Sequence, residues 1–110
     1  MNWKKLSYLS FLLVSICFSS VSSADATWID VRSKVEHSID HIEGDERISH
    51  GDIVKEISGI FPDKNTEIKL YCRSGGRAGK AMSALLDAGY TNVSNVGGID
   101  DARKARGLSE

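Results

Sequence analysis

The pattern of apolar and polar residues divides the chain into one long apolar run and several short segments with strand or helix spacing. The apolar run spans residues 6–18. Residues 27–31 are a short apolar segment and residues 67–71 alternate polar and apolar positions, so both are predicted strands. Residues 53–57 and 78–88 place small or apolar residues at helical spacing, which predicts two helices.

Local signals define further elements and their ends. Ser33 and Glu36 have the spacing of a capping box, which predicts a helix reaching about Ile39, and Gly89 is a typical stop for the helix at 78–88. The shorter predicted elements are a strand at 46–48, a strand at 92–96, a tight turn at Gly97 and Gly98, and a helix at 100–105. Alternating strands and helices predict a single α/β domain, with a mainly parallel central sheet flanked by helices on both faces.

The N-terminal run has the features of a secretory signal peptide. Lys4 and Lys5 precede the apolar residues, and small residues precede a cleavage site after Ala24 or Ala26. The run is shorter than the ~20 residues of a membrane span and contains serines. We therefore predict a signal peptide at 1–24, a domain at 25–110, a periplasmic location and no stable membrane association after cleavage.

The charge of the predicted mature chain argues against nucleic acid as a partner. Without Lys4 and Lys5, 12 basic residues remain against 15 acidic ones, a net charge near −3. The acidic residues crowd positions 36–46, which we expect to be solvated surface. A cationic stretch uninterrupted by acids contains Lys69, Arg73, Arg77 and Lys80.

Cys72 is the only cysteine left once Cys17 leaves with the signal peptide. It begins a predicted loop at 72–77 between a strand and a helix. Gly75 and Gly76 permit backbone angles closed to other residues, so consecutive N–H groups can turn toward the sulfur, and the helix adds its positive N-terminal end. We predict a thiol pKa below the usual ~8.5, an effect that the neighbouring arginines should strengthen.

Other polar residues have structural interpretations. Asp30 and Arg32 follow a strand, where a charge pair would fasten the strand end to neighbouring loops. The three histidines lack a second cysteine or a ligand-like cluster, so neither a metal site nor a cofactor is expected. They are His37, His41 and His50. For His41 we predict a hydrogen-bonding role.

The segment Cys72-Arg73-Ser74-Gly75-x-Arg77 resembles the active-site loop of the rhodaneses, the thiosulfate sulfurtransferases. The segments 28–32, 41–44 and 95–99 resemble the opening strand, the His-Ile-x-Gly segment and the closing Gly-Gly turn of that family. The resemblance covers residues 27–107, and the length, leader and motif order are most similar to the periplasmic phage shock protein E type.

Two segments depart from the family pattern, and both lie outside the cysteine loop. After Gly44 the family usually continues Ala-x-Asn-Ile-Pro, whereas this chain has Asp-Glu-Arg-Ile-Ser at 45–49. After the Gly-Gly turn the family commonly has a tryptophan, and here Arg103 lies near that place.

The resemblance implies a double-displacement sulfur transfer by a monomeric enzyme. The Cys72 thiolate would attack the outer sulfur of thiosulfate, sulfite would leave, and the persulfide would pass its sulfur to cyanide or a thiol. N–H groups of residues 73–77 would hold the terminal sulfur. Besides the catalytic Cys72, the implied substrate-binding residues are Arg77, Arg73, Ser74, Gly75 and Gly76.

Two alternatives belong to other functional classes. Rhodanese-like domains also serve as non-catalytic persulfide carriers or interaction modules. Cysteine-dependent phosphatases and arsenate reductases also combine a cysteine, a loop of N–H groups and an arginine. Phosphatase loops place five residues between cysteine and arginine, whereas four separate Cys72 from Arg77, a tighter loop that suits a single sulfur atom.

Overall fold

The structure, a computed structural model, describes residues 26–109. The predicted signal peptide and its cleavage site after Ala24 lie outside the described residues. No helix within 26–109 combines the length and the apolar character needed to cross a membrane.

Four strands form one sheet in the order β2-β1-β3-β4, and every neighbouring pair is parallel. The strands are β1 (Thr27–Asp30), β2 (Glu46–Arg47), β3 (Ile68–Cys72) and β4 (Val93–Gly98). The helices are α1 (Lys34–Ile39), α2 (Ile53–Ile60), α3 (Gly76–Asp87) and α4 (Ile99–Ala105), with a short 3-10 turn (His50–Asp52) before α2. The predicted parallel sheet is confirmed.

Side chains on the two faces of the sheet enter two separate apolar clusters. Successive residues of a strand point to opposite faces, so Leu70 packs under α2 and α3 whereas Tyr71 packs under α4. The larger cluster includes Ile57 of α2 and Leu85 of α3, and the smaller one includes Ala102 of α4. The prediction of helices on both faces is therefore confirmed.

Gly97 and Gly98, for which the sequence predicts a tight turn after the last strand, belong to that strand, and Gly97 has a positive φ of 111° there. They are the last two residues of β4, where they pair with Tyr71 and Cys72 after a register shift that leaves one extra residue in β4. The chain passes directly from strand to helix because the Gly98 N–H donates to Asp101 Oδ2 over 2.8 Å, which caps α4. This arrangement places the glycines beside the cysteine.

The prediction that the acidic residues at 36–46 are simply solvated surface is wrong for three of them. Each of the three accepts two hydrogen bonds from one arginine in the C-terminal half. The pairs are Glu36 with Arg77, Asp40 with Arg103 and Asp45 with Arg106, with the shortest N–O distances between 2.6 and 2.7 Å. Bidentate pairs fix both partners in orientation. Arg103, which stands near the place of the family's tryptophan, thus docks α4 by an ion pair.

Asp30 and Arg32 form the predicted structural charge pair. The Asp30 carboxylate is completely buried and accepts from the Arg32 backbone N–H, Nε and Nη2 at 2.8 to 2.9 Å. Arg32 Nη2 also donates to the carbonyl of Asp40. The pair therefore fastens the end of β1 to the segment that follows α1.

Replacing Asp30 by Asn should lower the free energy of unfolding by about 3 kcal/mol, because it leaves the buried Arg32 charge without its partner. Urea denaturation measures this change. The control is Asp87→Asn at the exposed end of α3, which should change stability by less than about 0.5 kcal/mol. A cost for Asp30→Asn no larger than that of the control would contradict the structural role.

Candidate active site

Strand β3 carries Cys72 to the carboxyl edge of the sheet, where parallel α/β folds place their ligands. Cys72 is the last residue of β3, is only 1% exposed, and has a free thiol. Residues 73–75 form the loop, and α3 begins at Gly76, two residues before the predicted helix. The sulfur therefore lies between the end of a strand and the start of a helix.

Backbone N–H groups surround this sulfur. The Gly75 N–H donates to Cys72 Sγ over 2.9 Å. Burial raises the pKa of the Cys72 thiol, but hydrogen bonds from the N–H groups of Ala78, Ser74, Gly75 and Arg77 outweigh it and lower the pKa below its ordinary value. This direction agrees with the predicted one, and the N–H groups that lower the pKa include that of Ala78, one residue beyond the predicted loop at 72–77.

The two loop glycines have different roles. Gly75 has φ +103°, a left-handed conformation that other residues rarely adopt. Gly76 begins α3 and has no positive φ. A Cβ added at Gly76 would have no other heavy atom within 4 Å. The expectation of unusual backbone angles is therefore confirmed for Gly75 and wrong for Gly76.

The loop is also held by β4. Asn95 Nδ2 donates to the Gly75 carbonyl and Asn95 Oδ1 accepts from the Gly97 N–H, both over 2.9 Å. A Cβ added to Gly98 would overlap the carbonyl oxygen of Arg73. The sequence indicates Asn95 only as part of the closing Gly-Gly motif, although an asparagine side chain commonly accepts from the backbone N–H two residues on, which here is that of Gly97.

The guanidinium of Arg77 is bound to a carboxylate that sequence reasoning did not connect with the site. Arg77 Nη1 and Nη2 donate to Glu36 Oε1 and Oε2 over 2.7 and 2.9 Å. Glu36 also completes the predicted capping box, since its backbone N–H donates to Ser33 Oγ and its carboxylate accepts from the Ser33 backbone N–H. The sequence indicates the capping box with Ser33, whereas Arg77, the second partner of Glu36, lies 41 residues further along the chain.

Arg73 and Ser74 lie at the outer side of the loop. The Arg73 side chain is 78% exposed, and its Nη1 lies 3.8 Å from Glu36 Oε2. Ser74 is exposed as well. No acid interrupts the cationic stretch in the sequence, but the fold brings the Glu36 carboxylate to 2.7 Å from Arg77 and 3.8 Å from Arg73, where it offsets one of their charges.

The histidines have no metal-binding arrangement in the part of the chain that the structure describes, where no group of three or more His, Cys, Asp or Glu could hold an ion. His41 Nδ1 lies 2.9 Å from the His37 carbonyl oxygen, and the two rings stack with centroids 4.3 Å apart. The hydrogen-bonding role predicted for His41 is confirmed.

The thiol of Cys72 should ionise at a lower pH in the folded protein than in the unfolded chain, because the N–H groups that favour the thiolate are assembled only by folding. The ultraviolet absorbance of the thiolate, titrated against Cys72→Ser to subtract other groups, measures the midpoint. The same titration in denaturant should return to about 8.5. Equal midpoints in the two states would show that the backbone N–H groups of the folded protein do not favour the thiolate.

Replacing Gly98 by Ala should raise the Cys72 pKa by about one unit, because the new Cβ displaces the Arg73 carbonyl and with it the loop. The loss of one N–H bond to a charged sulfur, about 1.5 kcal/mol, corresponds to that shift. Gly51→Ala is the matched control, since an added Cβ there meets nothing within 4 Å. An unchanged pKa in Gly98→Ala would show that β4 does not position the loop.

Several known proteins are similar in sequence to this chain. Thiosulfate sulfurtransferase PspE of Escherichia coli (strain K12) is 36% identical over 90 residues, which cover 82% of this chain and 86% of that protein. The tRNA uridine(34) hydroxylase of Yersinia enterocolitica is 30% identical over 93 residues, covering 78% of this chain but only 26% of that protein.

Solved structures agree with the sequence comparison. A rhodanese with anions from E. coli is 36% identical with a TM-score of 0.66, covering 70% of this chain and 91% of that chain. The rhodanese-like domain of an Anabaena sp. protein is 27% identical with a TM-score of 0.70, covering 81% of this chain and 83% of that one. The profile of the rhodanese-like domain family matches residues 19–105. The chain therefore belongs to the rhodanese-like domain family.

Proposed function

We propose that this protein is a sulfurtransferase that takes the outer sulfur of thiosulfate onto Cys72 and passes it, as a persulfide, to cyanide or a thiol. The observation that carries the proposal is the buried Cys72 Sγ inside a ring of backbone N–H groups, with Gly75 N only 2.9 Å away. Membership of the rhodanese-like family supports sulfurtransferase activity in general, and the name of the E. coli relative supports thiosulfate as the donor.

In the first half-reaction the Cys72 thiolate attacks the outer sulfur of thiosulfate. A sulfur–sulfur bond forms to Sγ, the bond to the sulfonate breaks, and its electron pair leaves with sulfite. No proton moves in this step, so it requires neither a general base nor a cofactor. The negative charge ends on the terminal sulfur of the persulfide, which the same N–H groups can stabilise.

In the second half-reaction the acceptor attacks the terminal sulfur and the Cys72 thiolate leaves. A thiol with a low pKa is a better leaving group, so the lowered pKa of Cys72 favours release as well as loading. Cyanide would leave as thiocyanate, and a thiolate acceptor would leave as a persulfide. The enzyme returns to its starting state after each cycle.

The sulfonate oxygens of the donor would bind at Arg77. A guanidinium has five N–H donors, and Glu36 occupies two of those of Arg77, so three remain for an anion. Arg73 adds positive potential from its exposed position, and the backbone of Ser74, Gly75 and Gly76 shapes the ring. We further propose that the domain at 25–110 acts as a monomer after export to the periplasm.

Intact-mass spectrometry of the protein before and after thiosulfate tests the proposal directly. The wild type should gain the mass of one sulfur atom per chain and lose it on addition of cyanide, with thiocyanate released in equal amount. Cys72→Ser should gain nothing, because it lacks the nucleophile.

The other functions considered give different results in the same experiment. A gain of sulfur that neither cyanide nor a thiol discharges would indicate a persulfide carrier without turnover. No gain of sulfur, combined with hydrolysis of a phosphate monoester or reduction of arsenate, would replace the proposal by a cysteine-dependent phosphatase or arsenate reductase.

A further inference from the structure

A groove of about 420 Å³ opens beside the cysteine loop. Arg73, which follows Cys72 in the chain, lines it on one side. Ile99 lines it as well, and Ile99 follows Gly98, the residue of β4 that pairs with Cys72. The groove therefore begins next to the residue that would carry the transferred sulfur. Its volume lies in the range of sites for small organic molecules, well above what cyanide or thiosulfate fills.

Five charged side chains line this groove, and three of them are neutralised by close ion pairs. The close pairs are Arg32 with Asp30, Glu36 with Arg77 and Asp40 with Arg103, at N–O distances of 2.7 to 2.8 Å. The other two are Arg73 and Asp100. Each lies 3.8 Å from its nearest opposite charge, which belongs to a residue already held in one of the close pairs. The groove thus presents one positive and one negative charge that are only loosely compensated.

These two loosely compensated side chains are also accessible. Arg73 is 78% exposed and Asp100 is 72% exposed. A ligand with a carboxylate and an ammonium group can form an ion pair with each of them without breaking any of the close pairs. Ile39 and Ile99 add apolar surface for the carbon atoms of such a ligand. A ligand with one charge, or with none, leaves at least one of the two side chains unused.

From this arrangement we propose that Arg73 and Asp100 select amino-acid thiols, of which cysteine is the simplest, as acceptors of the sulfur carried by Cys72. The carboxylate of the acceptor binds Arg73 and its ammonium group binds Asp100. The inference rests on the proposed sulfur transfer and names the acceptor class of that site.

The transfer to such an acceptor is balanced without any further reactant. The acceptor thiol gives its proton to water, and its thiolate attacks the terminal sulfur of the persulfide. A sulfur–sulfur bond forms to the acceptor, the bond to Cys72 Sγ breaks, and its electron pair remains on Cys72 as the thiolate. The acceptor leaves as a persulfide, with no net oxidation or reduction.

A single-turnover experiment isolates this acceptor step. The protein is loaded with thiosulfate, separated from the donor by gel filtration and mixed with one thiol, and intact mass follows the loss of the extra sulfur. The thiols are L-cysteine and D-cysteine with both charges, cysteamine with the ammonium group alone, 3-mercaptopropionate with the carboxylate alone, and neutral 2-mercaptoethanol. Each rate constant is divided by that of 2-mercaptoethanol for the same variant, which cancels any loss that all thiols share.

Asp100→Asn should lower the relative rates of L-cysteine and cysteamine about threefold, the effect of one exposed ion pair, and should not lower that of 3-mercaptopropionate. Arg73→Gln should lower those of L-cysteine and 3-mercaptopropionate by a similar factor and should not lower that of cysteamine. Glu43→Gln and Lys104→Gln are the charge controls, because both side chains are exposed and neither lines the groove. Their relative rates should equal those of the wild type.

The two enantiomers of cysteine give a second readout that does not depend on thiol acidity. L-cysteine and D-cysteine have the same charges and the same thiol pKa, and only a site with three fixed contacts distinguishes them. Those contacts are the persulfide on Cys72, Arg73 and Asp100. The wild type should therefore discharge to one enantiomer about threefold faster than to the other, and either single variant should bring the ratio close to one.

The outcomes distinguish this inference from the proposed function. If thiosulfate does not load Cys72, the sulfur transfer itself is wrong. If Cys72 loads and cyanide discharges it but no thiol does, the sulfur transfer stands and the acceptor class is wrong. If thiols discharge it with the same relative rates in wild type, Arg73→Gln and Asp100→Asn, and with equal rates for the two enantiomers, the groove does not select the acceptor.

Discussion

The negative charge of a buried sulfur atom is the constraint on which the rest of this structure depends. Burial disfavours the thiolate of Cys72, because the charged sulfur loses its hydration in the interior. Backbone N–H groups from the loop and the first turn of α3 outweigh that cost and lower the pKa of the thiol. They belong to the peptide backbone, so no side chain has to supply them, but the backbone of residues 73–78 must be held in one conformation.

The surrounding elements supply that restraint from two sides. On one side, the register shift in β4 brings Gly98 against the Arg73 carbonyl, and Asn95 binds the carbonyl of Gly75. On the other side, Glu36 binds the guanidinium at the start of α3, which links the loop to α1. The active site is thus the place where β3, β4, α1 and α3 meet, and its chemistry depends on contacts between distant parts of the chain.

The sequence predicted what local signals determine and missed what distant contacts determine. Strand and helix spacing, the capping box at Ser33 and the lowered pKa of Cys72 all follow from neighbouring residues, and the structure confirms them. The pairing of Glu36 with Arg77 does not follow from neighbouring residues. An acid at a helix start has the same local sequence pattern whether it faces solvent or an arginine 41 positions away. The end of β4 differs from the predicted tight turn for a related reason, since two adjacent glycines do not reveal that Gly97 and Gly98 pair with Tyr71 and Cys72 of β3.

The measurement that tests the central claim most directly is an NMR pH titration that follows the amide protons of residues 74–78 and the guanidinium protons of Arg77. If backbone N–H groups stabilise the thiolate, the amide protons of Ser74, Gly75, Arg77 and Ala78 shift downfield with the same midpoint as the Cys72 thiol, and Cys72→Ser abolishes the shift. The account would be contradicted if these amides did not respond while the Arg77 guanidinium did, because the side-chain charge would then hold the sulfur.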